Sequence, residues 1–231
     1  MLSSEDKKHL RLFIIYILIS VVSFTLLTII HSWITFSEIH IVNFVIPTFA
    51  STVVGFVFAR NKILQSKLIK LAITDKLTGA SNRLYFDRRL RQEIDRAKRY
   101  KQHFSIIYLD IDYFKRVNDR HGHGIGDEAL KDFSLIASNI NRDSDVFARF
   151  GGEEFIILAS MTDKKSAYSL YLRIKEAIEK HEFKQVKNIT FSAGITEFDL
   201  TKDNADRILE RADKALYEAK EKGRNQAIIA E

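Results

Sequence analysis

Asp145-Val146-Phe147-Ala148-Arg149-Phe150-Gly151-Gly152-Glu153-Glu154-Phe155-Ile156-Ile157-Leu158-Ala159 decides how the second half of this chain folds. Two short apolar runs, Asp145 to Phe150 and Phe155 to Ala159, flank a Gly-Gly pair. That pattern is a hairpin signal, because a tight two-residue turn needs positive φ, which glycine adopts without strain. Two acids follow the glycines at once. Carboxylates at a hairpin tip, beside residues with no side chain to block approach, suit a phosphate-bound metal ion. A second acidic pair, Asp110 and Asp112, closes the apolar run Phe104 to Leu109, and period two places both on one face of that strand. Two strand ends are thus expected to present acids to one metal.

Working outward, the pattern beyond Thr74 alternates. Residues 83 to 101 read as an Arg- and Lys-rich helix, 104 to 111 as a strand and 126 to 140 as a helix with an apolar face. The hairpin strands follow at 146 to 150 and 154 to 159, then a helix at 164 to 180, a strand at 188 to 196, a helix at 203 to 221 and a short strand at 226 to 230. Helices interleaved with a few mixed strands make an α/β sandwich. Ahead of it, Asn61 to Ile73 carries Leu64, Leu68 and Leu71 at helical spacing with lysines between them, an amphipathic helix. It is either a connector packed on its own domain or a parallel coiled-coil stalk, and fewer than two heptads leave both open.

The first 60 residues are different. Leu12 to Ile30 is 19 residues without a charge and Ile39 to Ala59 another 21, each near the ~20 residues that cross a bilayer as a helix. Two transmembrane helices, about 12–30 and 39–59, are therefore expected. A signal peptide would have a shorter apolar stretch and a small-residue cleavage pattern, and a buried core helix would need more chain around it. Lys7, Lys8 and Arg11 precede the first stretch and Arg60, Lys62, Lys67 and Lys70 follow the second, while residues 31–38 hold no Lys or Arg. Both ends are then expected in the cytoplasm. Trp33 and Phe36 fit an interfacial position, and Pro47, the chain's one proline, fits a packing kink. The absence of cysteine excludes disulfides and thiolate metal sites. An apolar content of 46% excludes a disordered chain.

Gly151-Gly152-Glu153-Glu154-Phe155 resembles the signature of the GGDEF domains, diguanylate cyclases that condense two GTP into cyclic di-GMP. Ahead of it, Asp75-Lys76-Leu77-Thr78-Gly79-Ala80-Ser81-Asn82-Arg83, Asp110-Ile111-Asp112-Tyr113-Phe114-Lys115, Asn118-Asp119 and Gly122-His123-Gly124-Ile125-Gly126-Asp127 follow the same family's order. Behind it stand Ser192-Ala193-Gly194, Ala212-Asp213-Lys214-Ala215-Leu216-Tyr217, Lys220 and Gly223-Arg224-Asn225. The resemblance covers about residues 72 to 229 and implies a polymerase-palm-like, ferredoxin-related sheet. The expected organisation is a membrane anchor over 1–60, a helical linker over 61–73 and a GGDEF catalytic domain over 74–231. It implies a multi-pass protein of the bacterial inner membrane with its N-terminus and catalytic domain in the cytoplasm.

The resemblance also implies roles. Asp110, Glu153 and the backbone carbonyl of Ile111 would ligate Mg²⁺ or Mn²⁺, with Glu154 binding metal or assisting deprotonation of the attacking hydroxyl. Phe114 and Lys115 amides, the Lys115, Lys220 and Arg224 cations and the open Gly151-Gly152 backbone would meet the triphosphate. Asn118 and Asp127 would read guanine, an amide toward O6 and a carboxylate accepting from N1-H and N2. His123 is expected as a structural loop histidine, and His121 replaces a common aromatic. Asp75, Thr78, Gly79, Asn82 and Arg83 are expected to form a turn and helix start that couples the linker to the domain. Arg142 and Asp145, an Arg-x-x-Asp pair, resemble the family's inhibitory product site for cyclic di-GMP, with Arg173 as its second half.

A twofold-symmetric product made by domains with residues for one GTP each implies a homodimer. The modest net charge of +6 is accounted for by triphosphate substrates and an acidic membrane surface, so no nucleic-acid partner is expected. The rival reading is a catalytically silent GTP or cyclic di-GMP receptor signalling through the membrane hairpin. Intact acids at 153 and 154 argue against it.

Overall fold

In the computed structural model, which describes residues 4–36, 42–186 and 188–230, the chain divides into two units, Met1–Ala72 and Ile73–Glu231. The first unit holds two long helices, α1 (Ser4–Phe36) and α2 (Val42–Ile73). Among the described residues, no helix is long and apolar enough to cross a membrane. This overturns the expected transmembrane hairpin, and with it the multi-pass inner-membrane location. Ser23, Thr25, Thr28, His31 and Ser32 recur through α1, and Ser51, Thr52 and Gly55 through α2. Part of the connection expected at residues 31–38, and the side chains of Phe36, Pro47, Leu68 and Leu71, lie outside the described residues.

The second unit is built on a six-stranded sheet. Its elements are β1 (Ser81–Asn82), α3 (Arg83–Tyr100), β2 (Phe104–Ile111), α4 (Phe114–His121), α5 (His123–Ile140), β3 (Val146–Gly151), β4 (Glu154–Ser160), α6 (Lys164–Lys180), β5 (Phe191–Glu197), α7 (Ala205–Glu221) and β6 (Ala227–Ile229). The sheet order is β1-β3-β4-β2-β5-β6. The outer pairs β1/β3 and β5/β6 are parallel and the inner pairs antiparallel. This is an α/β sandwich with a mixed sheet, as the interleaved pattern led us to expect.

β2 is buried along all of its length because helices cover both faces of the sheet. Ile107, Leu109 and Ile111 pack with α5 and α6, whereas Phe104, Ile106 and Tyr108 pack with α3 and α7. Period two carries Asp110 onto the second face, toward α7. The close fit of α7 on β5 depends on Gly194, where a Cβ would lie 2.0 Å from the Ala212 carbonyl oxygen. Side-chain caps start three of the helices: Asn82 Oδ1 accepts from Tyr85 N at 3.0 Å, Asp163 Oδ1 from Ser166 N at 2.7 Å and Asn204 Oδ1 from Arg207 N at 2.9 Å. Each cap contributes about 1 kcal/mol. Two elements escape the sequence pattern. α4 is short and charge-rich with no apolar repeat, and β1 is two residues joined to β3 across the fold.

Candidate active site

The hairpin is one residue displaced from the expected turn. β3 runs through Gly151, which pairs with Glu154, and the two turn residues are Gly152 and Glu153. Gly152 has φ +42° and is the turn residue that needs glycine. The pairing shifts between Arg149 and Gly151, the mark of a bulge that re-aims the strand end. Glu153 thus stands in the turn itself and Glu154 at the head of β4. Across the sheet Glu154 sits opposite Asp110 of β2, and Ile111 N donates to Glu153 O at 3.3 Å.

Arg149, absent from the expected set, holds this tip. Its Nε and Nη2 donate to Gly152 O at 2.8 and 2.7 Å, and its Nη1 pairs with Asp75 Oδ1 at 3.1 Å. That same Asp75 oxygen accepts from Thr78 N at 2.9 Å and Thr78 Oγ1 at 2.7 Å. Burial pushes the Asp75 carboxyl up, but the Thr78 and Arg149 donors outweigh it and hold it below the ordinary aspartate range. A readable signal existed: Arg149 is the single cation in the apolar run Val146 to Phe150 that leads into the glycines.

Asp110 is 8% exposed, and Lys220 Nζ from the last turn of α7 approaches its Oδ2 to 2.8 Å. Burial pushes this carboxyl above its ordinary value, Lys220 opposes the rise, and the negative charges of Glu153 and Glu154 add to it. Tyr108 donates to Glu154 Oε2 at 3.4 Å, and its hydroxyl is raised by burial and then by the Glu154 charge. Among the described residues no group of three or more His, Asp or Glu is arranged to hold a metal ion. The donor chemistry nevertheless fits a hard divalent cation. Asp110 has Glu153 and Glu154 as charged neighbours, and Mg²⁺ is usually bound through one or two carboxylates, with phosphate and water completing its shell.

Asp112 corrects the expectation that both acids of the Asp-x-Asp pair face one metal. It lies beyond the end of β2, 6% exposed. Its Oδ2 accepts from Thr190 Oγ1 at 2.8 Å and Asn225 N at 3.0 Å, and its Oδ1 from Ser192 Oγ at 2.7 Å. The chain leaves the strand there, so strand periodicity no longer governs where the side chain points.

The remaining candidates lie on α4, on α5, in the turn after α7 and around a separate cavity. Phe114, buried, and Lys115, exposed, open α4. Asn118 of α4 fits against α5 because residue 126 is glycine: a Cβ there would lie 1.9 Å from Asn118 Oδ1. Asp127 follows directly, exposed on α5. His121 and His123 are exposed at the facing ends of α4 and α5. α7 stops at Glu221, so Arg224 lies past the helix in a turn, its guanidinium 4.6 Å from the Tyr113 ring centre. Arg142, Asp145 and Arg173 line a separate cavity of about 220 Å³ with Thr162, Ser166, Ser169 and Leu170. Arg142 N donates to Asp145 Oδ2 at 3.4 Å, and Arg173 Nη2 donates to Ile140 O at 3.3 Å.

The family described as "Diguanylate cyclase, GGDEF domain" matches residues 72–226. Diguanylate cyclase A of Treponema denticola is 35% identical over 175 residues, 73% of this chain and 47% of that protein. Diguanylate cyclase DgcP of Pseudomonas aeruginosa is 41% identical over 165 residues, 69% of this chain and 24% of that protein. The chain thus spans less than half the length of these curated relatives. Among solved structures, the GGDEF domain of DgcB from Caulobacter crescentus in complex with c-di-GMP superposes with TM-score 0.65 at 30% identity, covering 69% of this chain and 94% of that one. The active GGEEF domain of a diguanylate cyclase from Vibrio cholerae does so with TM-score 0.62 at 35% identity, covering 65% and 97%.

Proposed function

The chain belongs to the GGDEF diguanylate cyclase family, and from that premise we propose that it condenses two GTP into cyclic di-GMP, releasing two pyrophosphates. The observation that carries this reading is the pairing of Asp110 with Glu154 across two strand ends, with Glu153 in the turn beside them and Lys220 on Asp110. In each of two steps a 3′-hydroxyl oxygen forms a bond to an α-phosphorus, the bond to pyrophosphate breaks, and the hydroxyl proton leaves with a base. Asp110, the Ile111 carbonyl and Glu153 would hold Mg²⁺ or Mn²⁺, with Glu154 as a further ligand or as the proton acceptor. When bound, the cation supplies Lewis-acid stabilisation of the phosphoryl and leaving-group charge. Lys115, Lys220 and Arg224, with the Phe114 and Lys115 amides and the open Gly151-Gly152 backbone, orient the triphosphate. Lys220, which pairs with Asp110, would supply its charge to phosphate. Asn118 and Asp127 take the guanine edge.

Each domain supplies one GTP site, so the product forms between two copies of the chain facing each other. The cavity lined by Arg142, Asp145 and Arg173 takes cyclic di-GMP as a feedback inhibitor, with arginines toward phosphate and the acid toward guanine. Supporting this is the presence of all three side chains on one cavity wall. Incubating the full chain with GTP and Mg²⁺ and identifying products by mass is the test. Cyclic di-GMP and pyrophosphate, with no product from ATP, are expected; unchanged GTP, or equal turnover of ATP, overturns the reading.

A further inference from the structure

Tyr113 has been given no part in the chemistry, yet its conformation is held at some cost. It has φ +55°, a left-handed backbone that a bulky residue rarely adopts. Such strain persists where the surroundings over-determine it. Here Asp112, locked by its three donors, precedes it, and Phe114, 6% exposed, follows it. The ring between them is 49% exposed. Two guanidinium groups lie over it, Arg116 at 4.4 Å and Arg224 at 4.6 Å from the centre.

The turn that carries Arg224 is strained as well. Gly223, Arg224 and Asn225 all have positive φ, at 110°, 66° and 47°. Three bonds tie it down: Arg224 N to Ala219 O at 3.0 Å, Asn225 N to Asp112 Oδ2 at 3.0 Å, and Lys175 Nζ to Asn225 O at 2.7 Å. The backbone of Arg224 is therefore fixed, while its long side chain would lose much rotamer freedom on gripping a ligand. A ring beneath the guanidinium limits that freedom beforehand. Stacking uses the face of the group; its Nη1 donates to Lys220 O at 3.3 Å, and the other edge N–H donors remain for oxygen.

We propose that Tyr113 is a positioning residue that presents Arg224 to the triphosphate of GTP, with Arg116 stacked on the same ring. The inference rests on the reading of Arg224 as a phosphate contact. Tyr113→Leu removes the π face without opening a core. It should weaken GTP binding roughly two- to fivefold, the range of an exposed cation–π contact, and raise KM while kcat changes little. Tyr113→Phe keeps the face and should bind as the unaltered chain does. In an Arg224→Ala background, Tyr113→Leu should cost nothing further.

The measurement is calorimetric titration with GTP without divalent metal, alongside steady-state turnover with Mg²⁺. Equal affinity of Tyr113→Leu and the unaltered chain overturns the inference. So does a Phe variant as weak as the Leu variant, or an undiminished Leu effect without Arg224. Because binding is read apart from turnover, a chain that binds GTP but makes no cyclic di-GMP refutes the cyclase reading alone. A chain that binds no GTP refutes both.

Discussion

Asp110 and Asp112 stand two residues apart, and both are nearly buried, yet their surroundings are opposite. Asp112 has three short hydrogen bonds from donors on other segments, and both its oxygens are engaged. Asp110 faces two further acids across the strand end and meets a single lysine from α7. A buried carboxylate with its acceptors filled is a structural pin. One beside like charges, raised by burial and held by one movable ammonium, is poised to accept a cation and its phosphate. The donors that reach each acid, more than its depth, separate the two roles.

The largest effect should come from breaking the poised acid. Asp110→Ala should cut cyclic di-GMP formation by at least about 10²- to 10³-fold, with urea unfolding little changed, measured by product chromatography and by denaturation. Loss of the fold instead would place Asp110 among the pins. The reciprocal change, Asp112→Ala, strands Thr190, Ser192 and Asn225 N together. At about 1 kcal/mol or more per abandoned donor, roughly 3 kcal/mol of stability should go, visible as a lower urea midpoint. A variant as stable as the unaltered chain would erase the comparison.

Asp145 sharpens it. Among the described residues its acceptors meet near neighbours, Ser144 Oγ at 3.2 Å and Arg142 N at 3.4 Å, so like Asp110 it retains capacity for a ligand. Arg142→Ala should remove a charge-assisted contact of about 1.5–3 kcal/mol and relieve product inhibition about ten- to hundredfold, with the initial rate little changed. Progress curves with added cyclic di-GMP decide this, and identical inhibition would reduce Arg142 to a turn residue.

Asp75 is expected to give the smallest effect, because it is a pin only partly shielded from solvent. Its folded carboxyl lies below the ordinary 3.8, so the stability it contributes is present above that value and lost as pH falls through the depressed one. Asp75→Asn should flatten the acid limb of urea stability slightly and leave neutral pH behaviour close to normal, with solvent screening limiting the size. An unchanged acid limb would mean that Arg149 holds the hairpin without it.

The sequence by itself determined the α/β class, the hairpin and the position of Asp110 at a strand end. Those features are local: a period of two or of 3.6, a glycine needing positive φ and a cap three residues ahead are all written within a few positions. Tertiary structure alone decided what each acid became. The partners of Asp112 lie 78, 80 and 113 residues away, and the arginine on Asp75 lies 74 away. Lys220 reaches Asp110 only because Gly194 lets α7 lie against β5. An aspartate is spelled identically whether donors or other acids will surround it, and which of these arrives is set by packing between segments that no local pattern joins.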